Sequence, residues 1–249
     1  MRDALCLHFM NTRVFLRAAA VSLALFASIQ AVAETIGIVG SNSSGSDGLI
    51  EQVLSDAGYT VQFSPSDYSG LSAVVLIRTP GDDALKDFVA SGGLLITEWD
   101  AADWVLNTAQ MLGTTRDIDG GYVDTGTVIT FTDAASAAGL TRNVGASYSE
   151  NSSTEFFRFF APIDPAATVY ATYDGGTPAI LGGHYGAGAV LVLGYDWADE
   201  GFALDGPTAN IIINSLNFSP IPEPSTYAAF AGAGVLGLAI WRRRSLRSK

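Results

Sequence analysis

Residues 73–99 read AVVLIRTPGDDALKDFVASGGLLITEW. The unbroken apolar run Ala73–Ile77 suits a strand buried on both faces, as in a parallel sheet with helices on each side. Asp82 and Asp83 open a helix, Gly92-Gly93 closes it, and Leu94–Thr97 supplies the next strand. Upstream, Thr35–Gly40 is an apolar run ended by glycine. A Ser/Gly loop follows, then a segment with Leu49, Ile50, Val53, Leu54 and Ala57 at helical spacing, capped by Ser46 or Asp47 and ended by Gly58. Thr60–Phe63 reads as another strand, and residues 101–113, AADWVLNTAQMLG, as a helix. This rhythm predicts an open α/β sheet with helices on both faces. The second half reads differently. Short strands are expected at 128–131, 156–160, 168–172, 179–181 and 189–193, the last two flanking a glycine turn, GGHYGAG, at 182–188. A final helix over 207–218 carries Pro207 in its first turn.

Both ends carry signals of their own. From Met10 the chain reads MNTRVFLRAAAVSLALFASIQAVA: Arg13 and Arg17, an apolar stretch from Ala18 to Ile29, and a small-x-small ending at Ala31–Ala33. This predicts a secretory signal peptide over 1–33, cleaved after Ala33, with translation starting at Met1 or Met10. At the other end, residues 219–224 form a stiff linker containing Pro222-Glu223-Pro224. Residues 225–249 follow with an uncharged run, Tyr227–Trp241, and then Arg242, Arg243 and Arg244. As a helix that run spans about 22 Å, a minimal transmembrane segment against a hydrocarbon core of roughly 30 Å. The arginines place its end in the cytoplasm and the body outside the inner membrane.

The order Pro222-Glu223-Pro224, Ser225-Thr226, apolar helix, Arg242-Arg243-Arg244 resembles the PEP-CTERM sorting tail of Gram-negative bacteria. The resemblance implies handling by a membrane-embedded exosortase and delivery of the body to the cell surface or the exopolysaccharide matrix. The stretch 73–99, together with GGHYGAGAVLVLGYDW at 182–197, resembles the class I glutamine amidotransferase-like, flavodoxin-like superfamily, in particular members without catalytic duty. Catalytic amidotransferases use a cysteine nucleophile, and Cys6, the chain's only cysteine, lies in or before the leader. The mature chain therefore has neither a disulfide nor a thiol nucleophile.

Residues 34–218 are long enough for one domain with its own core. They hold five basic against 23 acidic residues, so the body alone is near −18. That balance excludes nucleic acid as a partner, because phosphate neutralisation needs clustered Lys and Arg. Neutral sugars or cations fit better.

In open α/β sheets ligands bind beyond the carboxyl ends of the strands. Glu98, Trp99, Asp100 and Asp103 follow the fourth strand and Asp196, Trp197, Asp199 and Glu200 follow the last, so these carboxylates and indoles form a candidate ligand rim. Indole faces stack on sugar rings, and carboxylates accept hydroxyl hydrogen bonds or hold Ca²⁺. The alternative is that both tryptophans are core aromatics and the acids solvated loop ends. Gly40–Asp47 faintly resembles a flavodoxin phosphate loop, and Asp117, Asp119 and Asp124 have Ca²⁺-loop spacing but no glutamate at the twelfth position. A solvated turn is the competing reading of that segment. His184 sits in the glycine turn without a G-x-S-x-G nucleophile elbow in the chain. The expectation is an exported, non-enzymatic surface or matrix protein binding glycan or cations, with no catalytic residues and no cofactor. The metal question stays open, and the rivals are a glycan-acting hydrolase and a flavin or nucleotide binder.

Overall fold

The computed structural model describes residues 34–40, 47–98, 101–113, 118–123, 127–149, 154–159, 164–173, 176–194 and 206–219. The chain divides into two units, Met1–Ala33 and Glu34–Lys249, and every described residue belongs to the second. In chain order the elements are β1 Thr35–Gly40, α1 Asp47–Asp56, β2 Thr60–Phe63, β3 Ala73–Ile77, α2 Asp83–Ala90 and β4 Leu94–Glu98. Next come α3 Ala101–Asp103 with a π-helical turn at Trp104–Thr108, β5 Ile118–Val123, β6 Val128–Phe131, α4 Asp133–Ala137, β7 Ser147–Ser149 and β8 Thr154–Phe159. β9 Thr168–Thr172, β10 Pro178–Tyr185, β11 Gly188–Leu193 and α5 Gly206–Ser215 complete the set.

These elements make a mixed α/β fold around a nine-stranded sheet in the order β2-β1-β3-β4-β11-β10-β9-β6-β7, with β5 and β8 paired apart as an antiparallel ribbon. From β2 to β11 neighbouring strands are parallel, and from β11 to β7 they are antiparallel. The parallel half explains its own composition. β3 and β4 are buried at every position, because each side of the sheet meets helices. Ile36, Ile38, Val75, Ile77 and Ile96 face one layer with Ile50 and Leu54 of α1 and Ile211 and Ile212 of α5. Val74, Leu76, Leu95 and Val192 face the other with Leu85 and Val89 of α2 and Trp104–Leu106. On the first face α5 is also held by a buried amide: Asn214 Nδ2 donates to the carbonyls of Leu140 at 2.9 Å and Arg142 at 2.8 Å.

β1 therefore feeds a helix on one face and β3 a helix on the other, so chain direction diverges between these adjacent strands. Among the described residues no helix covers β1 on the α2 side. The β2–β3 connection lies there instead: a Cβ on Gly37 would come within 2.8 Å of the Leu71 side chain and 3.2 Å of Pro65. Glycine at this position lets the loop lie flat on the strand.

Three local expectations need correction. The segment 101–113 is not one α-helix. After Asp103 the turn widens, Ala109 N–H donating to Trp104 C=O at 2.7 Å, which buries the consecutive residues Trp104, Val105 and Leu106. The segment around Asp119 is a strand and not a turn, since Ile118–Val123 pairs along its length with β8, Asp119 opposite Arg158. Asp117 and Asp124 lie outside the described residues. The expected glycine turn 182–188 is mostly strand. Gly182, Gly183, His184 and Tyr185 belong to β10, leaving Gly186-Ala187 as the turn, and His184 pairs with Ala189. Pairing with β11 makes them strand, and the strand takes glycine at 182 and 183 because Phe218 and the Ala166 backbone pack where side chains would stand. Among the described residues no helix is long and apolar enough to cross a membrane. The leader 1–33, the linker from residue 220 on and the tail lie outside the described residues.

Candidate functional site

The β2–β3 connection and α2 stand side by side on the same face of the sheet and leave between them an open groove of about 780 Å³. One wall is the loop Pro65–Ser72. The other is α2, from Asp82 at its start to Ser91-Gly92-Gly93 beyond its end. Each wall is locally braced. Asp67 accepts hydrogen bonds from Ser69 N–H at 2.8 Å and Ser69 Oγ at 2.5 Å, closing a tight turn at the loop tip. Those bonds, the hydroxyl first, hold the Asp67 carboxyl below its ordinary range and keep it ionised. Asp82 caps α2 by accepting from Leu85 N–H at 2.8 Å.

Two aromatic rings join the walls. Tyr68 and Phe88 lie 6.0 Å apart between centroids, tilted by 41°. Partial burial, and then the neighbouring Asp82 carboxylate, which accepts the phenol hydrogen bond, push the Tyr68 hydroxyl above its ordinary value. Phe88 in turn covers Gly93, where any side chain would run into its ring. The groove thus offers an apolar bed bordered by Asp67, Asp82, Asp87 and several serines, and its described lining holds no lysine, arginine, histidine or cysteine. Carboxylates and hydroxyls beside aromatic rings suit a polyhydroxylated ligand with apolar ring faces.

The raised Tyr68 value has a pH consequence. A phenol that ionises later in the folded than in the unfolded chain adds stability that is complete below pH of about 10 and is lost as pH climbs through the folded value. Tyr68→Phe is expected to lose stability less steeply than the unmodified protein above that pH, measured by urea unfolding on both sides of it. Equal slopes would remove Tyr68 from the account.

The strand-end residues are placed differently from one another. Glu98 ends β4 and is 1% exposed, enclosed by Ile50, Val75, Ile96, Leu193 and Ile212 between the sheet, α1 and α5. Asp103 is exposed on α3, where its Oδ1 accepts from Asn107 Nδ2 at 2.7 Å. Trp99, Asp100, Asp196, Trp197, Asp199, Glu200 and the Ser41–Ser46 loop lie outside the described residues, as do Pro222, Glu223, Pro224 and Arg242–Arg244. His184 is exposed on β10, its Nδ1 3.4 Å from Gly188 O. Among the described residues no group of three His, Cys, Asp or Glu side chains could hold a metal ion. The groove residues lie along the flank of the sheet, away from the strand ends where carboxylates cluster in the sequence. The serine-rich loop SPSDYSGLS at 64–72, with one aromatic residue at its centre, was the available signal.

Comparison with known proteins separates the tail from the body. Residues 220–244 match the PEP-CTERM protein-sorting motif. The chain thus carries the signal that exosortase recognises and is an exported protein. For the body the likeness is to folds. A cytoplasmic protein of Salmonella typhimurium LT2 superposes with a TM-score of 0.55 at 16% identity, over 74% of this chain and 98% of that one. A second cytoplasmic protein of Salmonella typhimurium gives 0.53 at 11% identity, over 76% and 100%. The β-galactosidase of Bacillus circulans sp. alkalophilus gives 0.53 at 14% identity, but this chain corresponds to only 32% of it. At such identities these likenesses describe the α/β architecture alone. No curated protein matches the chain.

Proposed function

We propose that this chain is a surface or exopolysaccharide-matrix protein whose flavodoxin-like α/β domain binds glycan without turning it over. The parallel strand order β2-β1-β3-β4-β11, with helices on both faces, supports the flavodoxin-like reading. The observation that carries the binding function is the groove in which Tyr68 and Phe88 form an apolar bed edged by carboxylates and serines. The sorting tail holds the body on the outer side of the inner membrane until exosortase acts, and exopolysaccharide is then the polymer at hand. A binding rather than hydrolytic role is favoured because two of the three groove carboxylates brace the walls, which leaves Asp87 without a second free acid to form an acid–base pair. Asp82 is committed to the helix cap and to Tyr68, and Asp67 to Ser69. Neither stands ready as a general acid or base.

The test uses the exported protein purified from its envelope fraction on a glycan array, followed by calorimetry. Saturable binding to at least one glycan, weakened by Phe88→Ala and without release of reducing sugar, is the expected result. Release of reducing sugar would replace this reading with a hydrolase, a yellow preparation would replace it with a flavin protein, and a Ca²⁺ heat signal without any glycan signal would replace it with cation binding.

A further inference from the structure

We infer that the groove between the Pro65–Ser72 loop and α2 selects glycans bearing free, positively charged amino groups over neutral or acidic ones. This rests on the glycan-binding reading above and adds the substrate class. The groove has two properties that bear on a sugar, and they are carried by different side chains. The Tyr68–Phe88 pair meets the apolar face of a pyranose whatever its substituents, so it recognises sugars as a class. Charge then divides that class.

Asp67, Asp82 and Asp87 edge the groove at the loop tip, at the helix start and on the last turn of α2. Asp67 is held ionised by Ser69. No cation opposes them in the described lining. The single lysine of α2, Lys86, is instead drawn away over the Tyr185 ring, 5.9 Å from its centroid, and is not a lining residue. A uronate, sulfate or pyruvyl group placed on the aromatic bed would face carboxylates with no compensating charge. A hexosamine whose nitrogen is not acetylated presents an ammonium group with three donors to those same acceptors. Like-charge juxtaposition and charge complementarity therefore act in one direction, excluding acidic polymers and favouring amino sugars.

A matched pair of probes isolates the charge: chitohexaose, fully N-acetylated and neutral, and the corresponding chitosan hexasaccharide. They share one backbone and differ in acetylation. Tetragalacturonate serves as the acidic comparison. Calorimetry on the whole exported protein is run in mildly acidic buffer, where amine and carboxylates are both charged. The chitosan oligomer is expected to bind roughly tenfold more tightly than chitohexaose, as a few exposed ion pairs permit. The galacturonate should show no binding. The preference should disappear as ionic strength rises from about 0.01 M to about 1 M, because the screening length falls from about 30 Å to about 3 Å.

Asp87→Lys supplies the local control. Asp87 is exposed, serves no cap, and lies in the last turn of α2, where a cation is compatible with the helix dipole. The ratio of the two affinities should fall to about one. Should that variant fail to fold, Asp67→Asn, which keeps the side-chain oxygen for the Ser69 turn, should lower the ratio by about threefold. Equal affinity for the two oligomers, or a preference that persists in both variants, would overturn this inference while leaving glycan binding in place. Failure of every glycan to bind would overturn both.

Discussion

Gly188→Ala is expected to destabilise the domain by about 3 kcal/mol and to lower its thermal midpoint by roughly 10 °C. Gly188 opens β11 at the tip of the β10–β11 hairpin, which docks on the end of α2. Ala187 N–H donates to Ala90 C=O at 2.9 Å and Ala189 N–H to Gly93 C=O at 3.2 Å. A methyl group on Gly188 would collide with the carbonyl oxygens of Val89 and Gly93. Both obstacles are backbone, so no rotamer change relieves them, and the hairpin must separate from the helix. That places the cost at the upper end of what overpacking produces. Gly58→Ala is the control. Its φ of +93° strains an alanine, but nothing lies within 4 Å of the added carbon, so the loss should stay near 1 kcal/mol. Thermal unfolding of the two variants side by side tests this, and an unchanged midpoint for Gly188→Ala would show that the hairpin does not bear on α2 as described. Because Ser91–Gly93 also line the groove, the same variant should weaken glycan binding, whereas Gly58→Ala should not.

The second large effect concerns the tail. Replacing Arg242, Arg243 and Arg244 with alanine removes three of the five basic residues that follow Trp241, leaving Arg247 and Lys249. On the proposed reading the chain's end stays beside the anionic cytoplasmic leaflet, where each cation contributes about 1 kcal/mol, so about 3 kcal/mol of that preference would be lost. That corresponds to roughly a hundredfold shift in the equilibrium the sorting machinery draws on. Mass measurement of the envelope-derived protein is expected to find the unmodified chain lacking its tail and the triple variant retaining it. Loss of the tail from both would show that the arginines are dispensable to processing, and retention by both would show that the tail is not removed.

Much of the parallel half is legible in the sequence. β3 and β4 are apolar at nearly every position because both faces are covered, and that burial is visible as an uninterrupted run in 73–77 and 94–96. The Asp82 cap and the Gly92-Gly93 ending were equally plain, since each answers to local backbone chemistry. What escaped was set by distant partners. Ile118–Val123 has two glycines at its centre and reads as a turn until β8 pairs with it. Ser147–Ser149 is short, largely exposed and recognisable as a strand only beside β6. Gly182 and Gly183 signalled flexibility in one dimension but serve close packing in three. The groove escaped for a related reason. Tyr68 and Phe88 are 20 residues apart on different elements, and their meeting depends on Gly37 letting the Pro65–Ser72 loop settle on β1. Glu98 shows the limit of reading strand ends by residue type. An acid at a carboxyl terminus looks solvent-facing, yet β4's alternation turns it toward Ile50 and Ile212.

On the proposed reading the chain is held by its tail until exosortase acts, and the amide of Asn214 then gains a second role. α5 is the last described helix before the sorting tail, so tension on such a tether would enter the body there. The two bonds from Asn214 to Leu140 and Arg142 act as a rivet between the loaded helix and a loop more than 70 residues away, spreading the pull from a single helix to the antiparallel half of the sheet. Cut that rivet and a load from the tail would peel α5 from the layer turn by turn, exposing Leu216 and Phe218 first and Ile212 and Ile211 after them.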